Sequence, residues 1–186
     1  MDLPVAGLLG FVASLLKRMT RLALSVGLTG ARCHDRRIFE YRDGTSGPGI
    51  KLRLLIRNES RFSDIADCQV LVTRIESPSG VLLEGESSRL IWSLEYTRSE
   101  WLTPKLILRG DVGARYVDLC SAEERDQCLQ IMSERYEGGD HRFTESGIYA
   151  IRVQLIVPSR RRCKEIRVRV SYDQSNWAST RMLDAS

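Results

Sequence analysis

The sequence predicts an all-β domain, an antiparallel β-sandwich preceded by a short amphipathic N-terminal helix. Three observations carry that expectation. From residue 50 onward apolar residues recur with period two, turn residues separate the runs at short intervals, and no long helical period interrupts them. A chain of 186 residues suits one domain with an extension, and 42% hydrophobic residues supply a packed core.

Residues 1–29 are expected to be the helix. Leu8, Val12, Leu15, Met19, Leu22 and Val26 recur at spacings of three and four, one stripe of a helix. The apolar run from Leu3 to Leu16 is shorter than the roughly 20 residues a bilayer span needs. Lys17, Arg18 and Arg21 follow it, and three cations at mid-span would be costly. Asp2 and the lack of an early cation fit a secretory signal poorly. Three placements stay open for residues 3–28. The helix lies in a membrane interface with Lys17, Arg18 and Arg21 at the headgroups, forms a short tilted span, or docks on the sandwich or a partner.

Residues 30–49 read as a linker with a weak first strand over Arg36–Arg42, and Gly44–Gly49 as a turn-rich loop. That loop lacks the Gly-Lys-Ser/Thr ending of a phosphate-binding loop. Residues 50–172 carry the sandwich. Leu52, Leu54 and Ile56 alternate with Lys51, Arg53 and Arg57, and Ser77–Gly80 closes the run Cys68–Glu76. Short runs follow at Val81–Leu83, Leu90–Trp92, Leu106–Leu108 and Tyr116–Leu119, while Glu123–Arg135 fits a helical turn or a strand. The clearest pair is last. Tyr149, Ile151, Val153, Leu155 and Val157 alternate with Arg152 and Gln154, and Ile166, Val168 and Val170 alternate with Arg167 and Arg169. Pro158–Arg162 joins them as a hairpin loop, and residues 173–186 are expected to be a tail.

Glu145-Ser146-Gly147-Ile148-Tyr149-Ala150-Ile151 resembles the corner of immunoglobulin-like sandwiches, where a Tyr before the penultimate strand bonds back to nearby backbone. Ile151 stands where antibody domains carry a Cys, so the inter-sheet disulfide is absent. Further segments recur in order: Arg57-Asn58, Ala66-Asp67-Cys68-Gln69-Val70, Leu90-Ile91-Trp92-Ser93, Tyr116-Val117-Asp118-Leu119, Tyr149-Ala150-Ile151-Arg152-Val153 and Trp177. Together they resemble bacterial immunoglobulin-like β-sandwich proteins of uncharacterised function, often with an N-terminal membrane segment. The resemblance implies a fold and a membrane tether, and it implies no activity.

Charge is segregated along the chain. Residues 1–62 hold 11 basic and 5 acidic side chains, residues 63–150 hold 9 and 16, and residues 151–186 hold 8 and 3. Basic outer strands beside acidic middle ones would neutralise each other, and a basic face kept for an anionic partner is the alternative. Arg supplies 24 of the 28 basic residues, a skew that codon bias also produces.

No catalytic constellation emerges, and no cofactor or metal is expected. His34 and His141 read as solvated, and adjacent Cys33-His34 point apart on an extended chain. Cys163 with His141 is a formal nucleophile pair without local support. The five cysteines show no C-x-x-C spacing and read as small buried residues in a reducing compartment. The carboxylates Asp64/Asp67, Asp111/Asp118 and Glu123/Glu124/Asp126 lack a calcium-loop spacing and read as solvated or salt-bridged.

The binding candidate is the basic hairpin. Arg160, Arg161, Arg162 and Lys164 crowd its loop, and Arg152, Arg167 and Arg169 share its outward face. Such a patch attracts phosphate, and without aromatic platforms it suits lipid headgroups or acidic protein better than nucleic acid. The sequence therefore points to a non-enzymatic interaction module with a protein or anionic-lipid partner, cytoplasmic and membrane-associated through residues 3–28. The alternative is a soluble nucleic-acid-associated or regulatory protein using the 160–169 hairpin. A small-molecule substrate is not expected.

Overall fold

A computed structural model describes residues 24–29, 32–41, 43–60, 63–93, 103–134 and 141–186, with the side chains of 81–86, 110–112 and 162 outside that description. The described strands are, in chain order, β1 (Leu24–Gly27), β2 (His34–Glu40), β3 (Ser46–Asn58), β4 (Ile65–Ser77), β5 (Gly80–Arg89), β6 (Ile91–Trp92) and β7 (Lys105–Ile107). They continue with β8 (Gly110–Glu123), β9 (Leu129–Ile131), β10 (Arg142–Phe143), β11 (Gly147–Val157), β12 (Arg162–Tyr172) and β13 (Arg181–Ala185).

They form two antiparallel sheets in a β-sandwich-like, all-β fold. One sheet runs β1-β3-β8-β9-β10, with β2 also beside β3 and β6 beside β8. The other runs β13-β12-β11-β4-β5, with β7 beside β4. Side chains of opposite parity meet in one core: Leu52, Leu54, Ile56, Val117 and Leu119 from the first sheet, and Val70, Val72, Ile151, Val153, Leu155 and Val168 from the second. These eleven are each within 1% of complete burial, so truncating one of the larger ones to Ala costs about 2–5 kcal/mol.

The last hairpin follows the period-two expectation residue by residue. Ile151 pairs with Val168 and Val153 with Ile166 on the core side, while Arg152 pairs with Arg167 on the outer side. The corner expected at Tyr149 also forms. Its buried hydroxyl donates to the Glu145 carbonyl at 2.6 Å, and its ring lies 5.7 Å from Phe143 and 6.5 Å from Tyr172. Gly147 makes this corner sterically feasible. Its φ is +149°, and an added Cβ would lie 2.3 Å from Pro78 in the β4–β5 turn.

Several local expectations change. The helical stripe does not extend through Leu24–Gly27, which is strand: Val26 pairs with Ile56, and Leu24 is buried. Four residues paired to β3 bury an apolar side chain, and that tertiary gain outweighs local periodicity. The remainder of the stripe, with Lys17, Arg18 and Arg21, lies outside the described residues. Within 30–49, β2 occupies His34–Glu40 and β3 already begins at Ser46, so little is left for the loop, where Gly44 has φ +79° and its amide donates to the Tyr41 carbonyl. In the ambiguous stretch after Glu123, Leu129 and Ile131 are buried on strand β9. The tail expected after residue 172 instead folds back: 3-10 turns over Gln174–Ser179 lead into β13, which pairs with β12 and buries Met182.

Arg53 departs from the simple inside–outside alternation. It sits on the polar register of β3, yet its side chain is only 2% exposed. Its Nε donates to Asp118 Oδ1 at 2.8 Å, and its Nη1 meets Asp35 Oδ2 at 2.7 Å and the Arg32 carbonyl at 3.4 Å. Lys51 Nζ donates to the other Asp118 oxygen at 3.0 Å, and Ser93 Oγ donates to Asp118 as well. Strands β2, β3 and β8 and the end of β6 are thus joined through one charged knot.

Candidate functional site

The strand directions sort the loops to two ends. At one end lie the start of β1, the β3–β4 connection, the β7–β8 turn and the β11–β12 loop. Asn58, the last residue of β3 and 2% exposed, organises it. Its Nδ2 donates to the Ser63 carbonyl at 3.0 Å and the Ile107 carbonyl at 3.1 Å, which binds the β3–β4 connection to β7. The Arg109 amide donates to Asp64 Oδ1 at 2.9 Å.

The β11–β12 loop is pinned to the same structure. Pro158–Arg160 forms a 3-10 turn and Arg161 closes it with φ +49°. Arg160 Nη2 then donates to Ser63 Oγ at 3.0 Å and to the Asp64 carbonyl at 2.8 Å. Lys164 Nζ donates to the Leu24 carbonyl at 2.8 Å, so the first described residue is held by the basic hairpin itself. Arg57, Lys105, Arg109, Arg115, Arg160, Arg161 and Lys164 at this end stand against Glu59, Asp64, Asp67 and Glu165. At the opposite end Glu40, Asp43, Glu123, Glu124, Asp126, Glu145 and Asp173 stand against Arg36, Arg125, Arg142 and Arg181. Charge that alternates by thirds of the sequence is therefore separated by ends of the fold.

The predicted basic residues divide into two groups. Arg160, Arg161 and Lys164 belong to the loop end, and so does the backbone of Arg162. Arg152, Arg167 and Arg169 share the outer face of the second sheet, as the alternation required, and each meets a carboxylate. Arg152 Nε lies 3.5 Å from Glu165, Arg167 Nη2 2.8 Å from Glu76, and Arg169 Nη1 3.0 Å from Asp184. Glu76 also pairs with Arg74, which stands beside Arg152 across the strands. Each such exposed pair is worth about 0–1 kcal/mol, but together they remove most of the free positive charge from that face. The field available to an anion is concentrated at the loop end.

Sequence reasoning missed the neighbour of that loop. On β7 Ile107 is fully buried, whereas Leu106 and Leu108 are 49% and 38% exposed. They are bracketed by Lys105 and Arg109. A signal was present in the order Lys-Leu-Ile-Leu-Arg, but a three-residue strand carries too little period to say which face is wet.

The other candidates resolve into structure. His141, expected to be solvated, is 3% exposed, and its Nδ1 lies 3.1 Å from the buried Ser133 hydroxyl. The β9–β10 pairing folds this pair inward, so the hydroxyl is closed to any substrate. Cys33 is fully buried while His34 faces outward, and burial lowers the His34 pKa. Burial alone would raise the Asp35 carboxyl, but the hydrogen bond from Arg37 and the charge of Arg53 bring it below its ordinary value. Glu123 is raised, chiefly by burial and then by Asp126. At the acidic end an open cavity of about 490 Å³ is lined by Glu124, Gln127, Gln174, Ser175 and Trp177. Among the described residues no three His, Cys, Asp or Glu side chains are placed to hold a metal, and no helix is long and apolar enough to cross a membrane.

Comparison with known proteins adds no relative: no protein-family description, characterised protein or solved structure matches the chain significantly.

Proposed function

We propose that this chain is a non-enzymatic, immunoglobulin-like interaction module that turns its basic loop end toward an anionic membrane surface, on the cytoplasmic side. The observation that carries the reading is a coincidence of position. The apolar N-terminal sequence leads into Leu24, and Leu24 lies at the same end as Arg160, Arg161 and Lys164, held by Lys164 itself. A segment that rests on or in a membrane would therefore deliver this end, and not the acidic one, to the headgroups. Polybasic surfaces next to a membrane segment gain about 1 kcal/mol per cation from anionic lipid.

The immunoglobulin-like assignment is supported by strand order. Strand β3 pairs with β8, β4 with β11, and β11 with β12, with β5 added beyond β4, the arrangement of the two sheets in such domains. The Tyr149 corner adds a second support. Five free thiols, four of them buried, fit a reducing compartment.

The test is co-sedimentation of the full chain with vesicles of phosphatidylcholine alone and with 30% phosphatidylglycerol. Preference for the anionic vesicles is expected, and the R160Q/R161Q double variant should lose about 30-fold in partitioning, from two cations at about 1 kcal/mol each. Equal partitioning of the double variant and the parent would refute the assigned surface. Binding to single-stranded DNA with no binding to either vesicle would move the protein into the nucleic-acid class.

A further inference from the structure

We infer that Leu106 and Leu108 form a rigid hydrophobic wedge that enters an anionic bilayer below the headgroups, while Arg109, Arg160 and Arg161 at the same end hold phosphates beside it. This inference rests on the membrane-facing reading above and adds how the surface grips.

Exposed leucines by themselves are ordinary on soluble proteins. Here four features distinguish a pair. First, they flank a core residue: Ile107 is fully buried, so the strand that displays them is fixed to the interior. Second, cations stand close by: Asp64, whose carboxylate holds the amide of the next residue, Arg109, also receives Arg160 at its carbonyl, which brings the loop of Arg160 and Arg161 beside the pair. Third, they share the end that carries Arg160, Arg161 and Lys164, whereas the exposed Ile38 and Ile148 lie toward the acidic end and the exposed Leu183 lies along edge strand β13. Fourth, the leucines cannot retreat. Asn58 grips the Ile107 carbonyl, Asp64 grips the Arg109 amide, and the β8 backbone lies against Leu108 so closely that a Cβ on Gly113 would come within 2.4 Å of it.

The occupant follows from chemistry. An acidic protein groove would use the cations but has no general need for a protruding apolar pair, and a nucleic acid would be met by aromatic platforms instead of leucines. A bilayer with anionic headgroups takes both: phosphate for the cations and acyl chain for the leucines. Held rigidly, the wedge gives up little conformational freedom on insertion. Its exposed area is small, so it strengthens an electrostatic contact without sustaining one alone.

The full chain and its L106S/L108S variant are compared on phosphatidylglycerol-containing vesicles and on a phosphatidylglycerol monolayer. The parent is expected to raise the surface pressure of the monolayer on injection. The variant should bind the vesicles about tenfold more weakly, lose the pressure rise, and dissociate fully in 0.5 M salt. An unchanged thermal melt would show that both leucines are dispensable for folding. Unchanged vesicle affinity and monolayer insertion of L106S/L108S, with R160Q/R161Q weakened, would overturn the wedge and leave the membrane-facing reading standing. Failure of the parent to bind anionic vesicles would overturn both.

Discussion

Replacing Asp118 by Ala tests whether the charged knot beneath β2, β3 and β8 is held by its anion. The carboxylate serves Arg53 Nε, Lys51 Nζ and the Ser93 hydroxyl. Lys51 is 13% exposed along its side chain and can turn to water, but Arg53 at 2% cannot. Among the described residues, the guanidinium then keeps Asp35 and the Arg32 carbonyl, leaving a buried cation partly uncompensated. Loss of one partner from such a pair costs about 3–5 kcal/mol. A domain of this size has about 5–15 kcal/mol in total, and its melting temperature falls about 2–4 °C per kcal/mol. D118A should therefore melt about 6–20 °C below the parent, read by circular dichroism and by urea unfolding. Removing the guanidinium as well, in R53M/D118A, should cost less than the sum of R53M and D118A, because no orphaned charge remains. A loss under about 1 kcal/mol for D118A, or strict additivity in the double variant, would show that Asp35 and backbone alone satisfy Arg53.

Three further outcomes are expected. Y149F removes the donor to the Glu145 carbonyl and should cost about 1–2 kcal/mol in urea unfolding while leaving vesicle binding unchanged, since the corner lies at the opposite end from Arg160; a variant as stable as the parent would show the bond to be idle. Of the five cysteines only Cys163 is exposed, so Ellman's reagent should titrate one thiol in the native protein and none in C163S, and two or more fast thiols would contradict the burial. Alkali should weaken the fold. Burial raises Cys68 to about 12 and Cys128 to about 11, so the folded state holds protons that the unfolded chain releases near pH 9. Each such thiol removes about 1.4 kcal/mol of stability per pH unit from pH 9 up to its folded value. A flat urea midpoint between pH 8.5 and 10.5 would contradict that sign.

The long strands were legible because their side chains obey one local rule. Five alternate apolar positions from Tyr149 to Val157 all fall in the core, as do Ile166, Val168 and Val170. Shorter elements were visible as apolar runs at Leu90–Trp92 and Leu106–Leu108 and as one of two readings at Leu129–Ile131, but two or three residues carry too little period to fix a face, and the two residues of β10 gave no signal. Leu24–Gly27 misled in the other direction, since four strand residues continued a helical spacing. What the pattern could not express was distance. Arg53 lies 65 residues from the Asp118 that permits its burial, and Arg160 lies 97 from the Ser63 that pins its loop. The basic hairpin was therefore visible as composition, while its division into a salt-bridged face and a cation-rich loop end was not. Leu106 and Leu108 became notable only once Arg160 stood at their end of the fold.

The Lys164 tie to Leu24 also has a mechanical consequence. Strand β1 runs inward from the basic end, and among the described residues its pairing with β3 covers Leu24 to Gly27. Antiparallel hydrogen bonds lie across the strand axis. A pull on the segment ahead of Leu24, directed away from that end, therefore loads all of them together in shear instead of unzipping them one by one. The ammonium of Lys164 takes part of the same load and passes it to β12. A domain dragged by its leading segment would thus share the force between both sheets at Leu24.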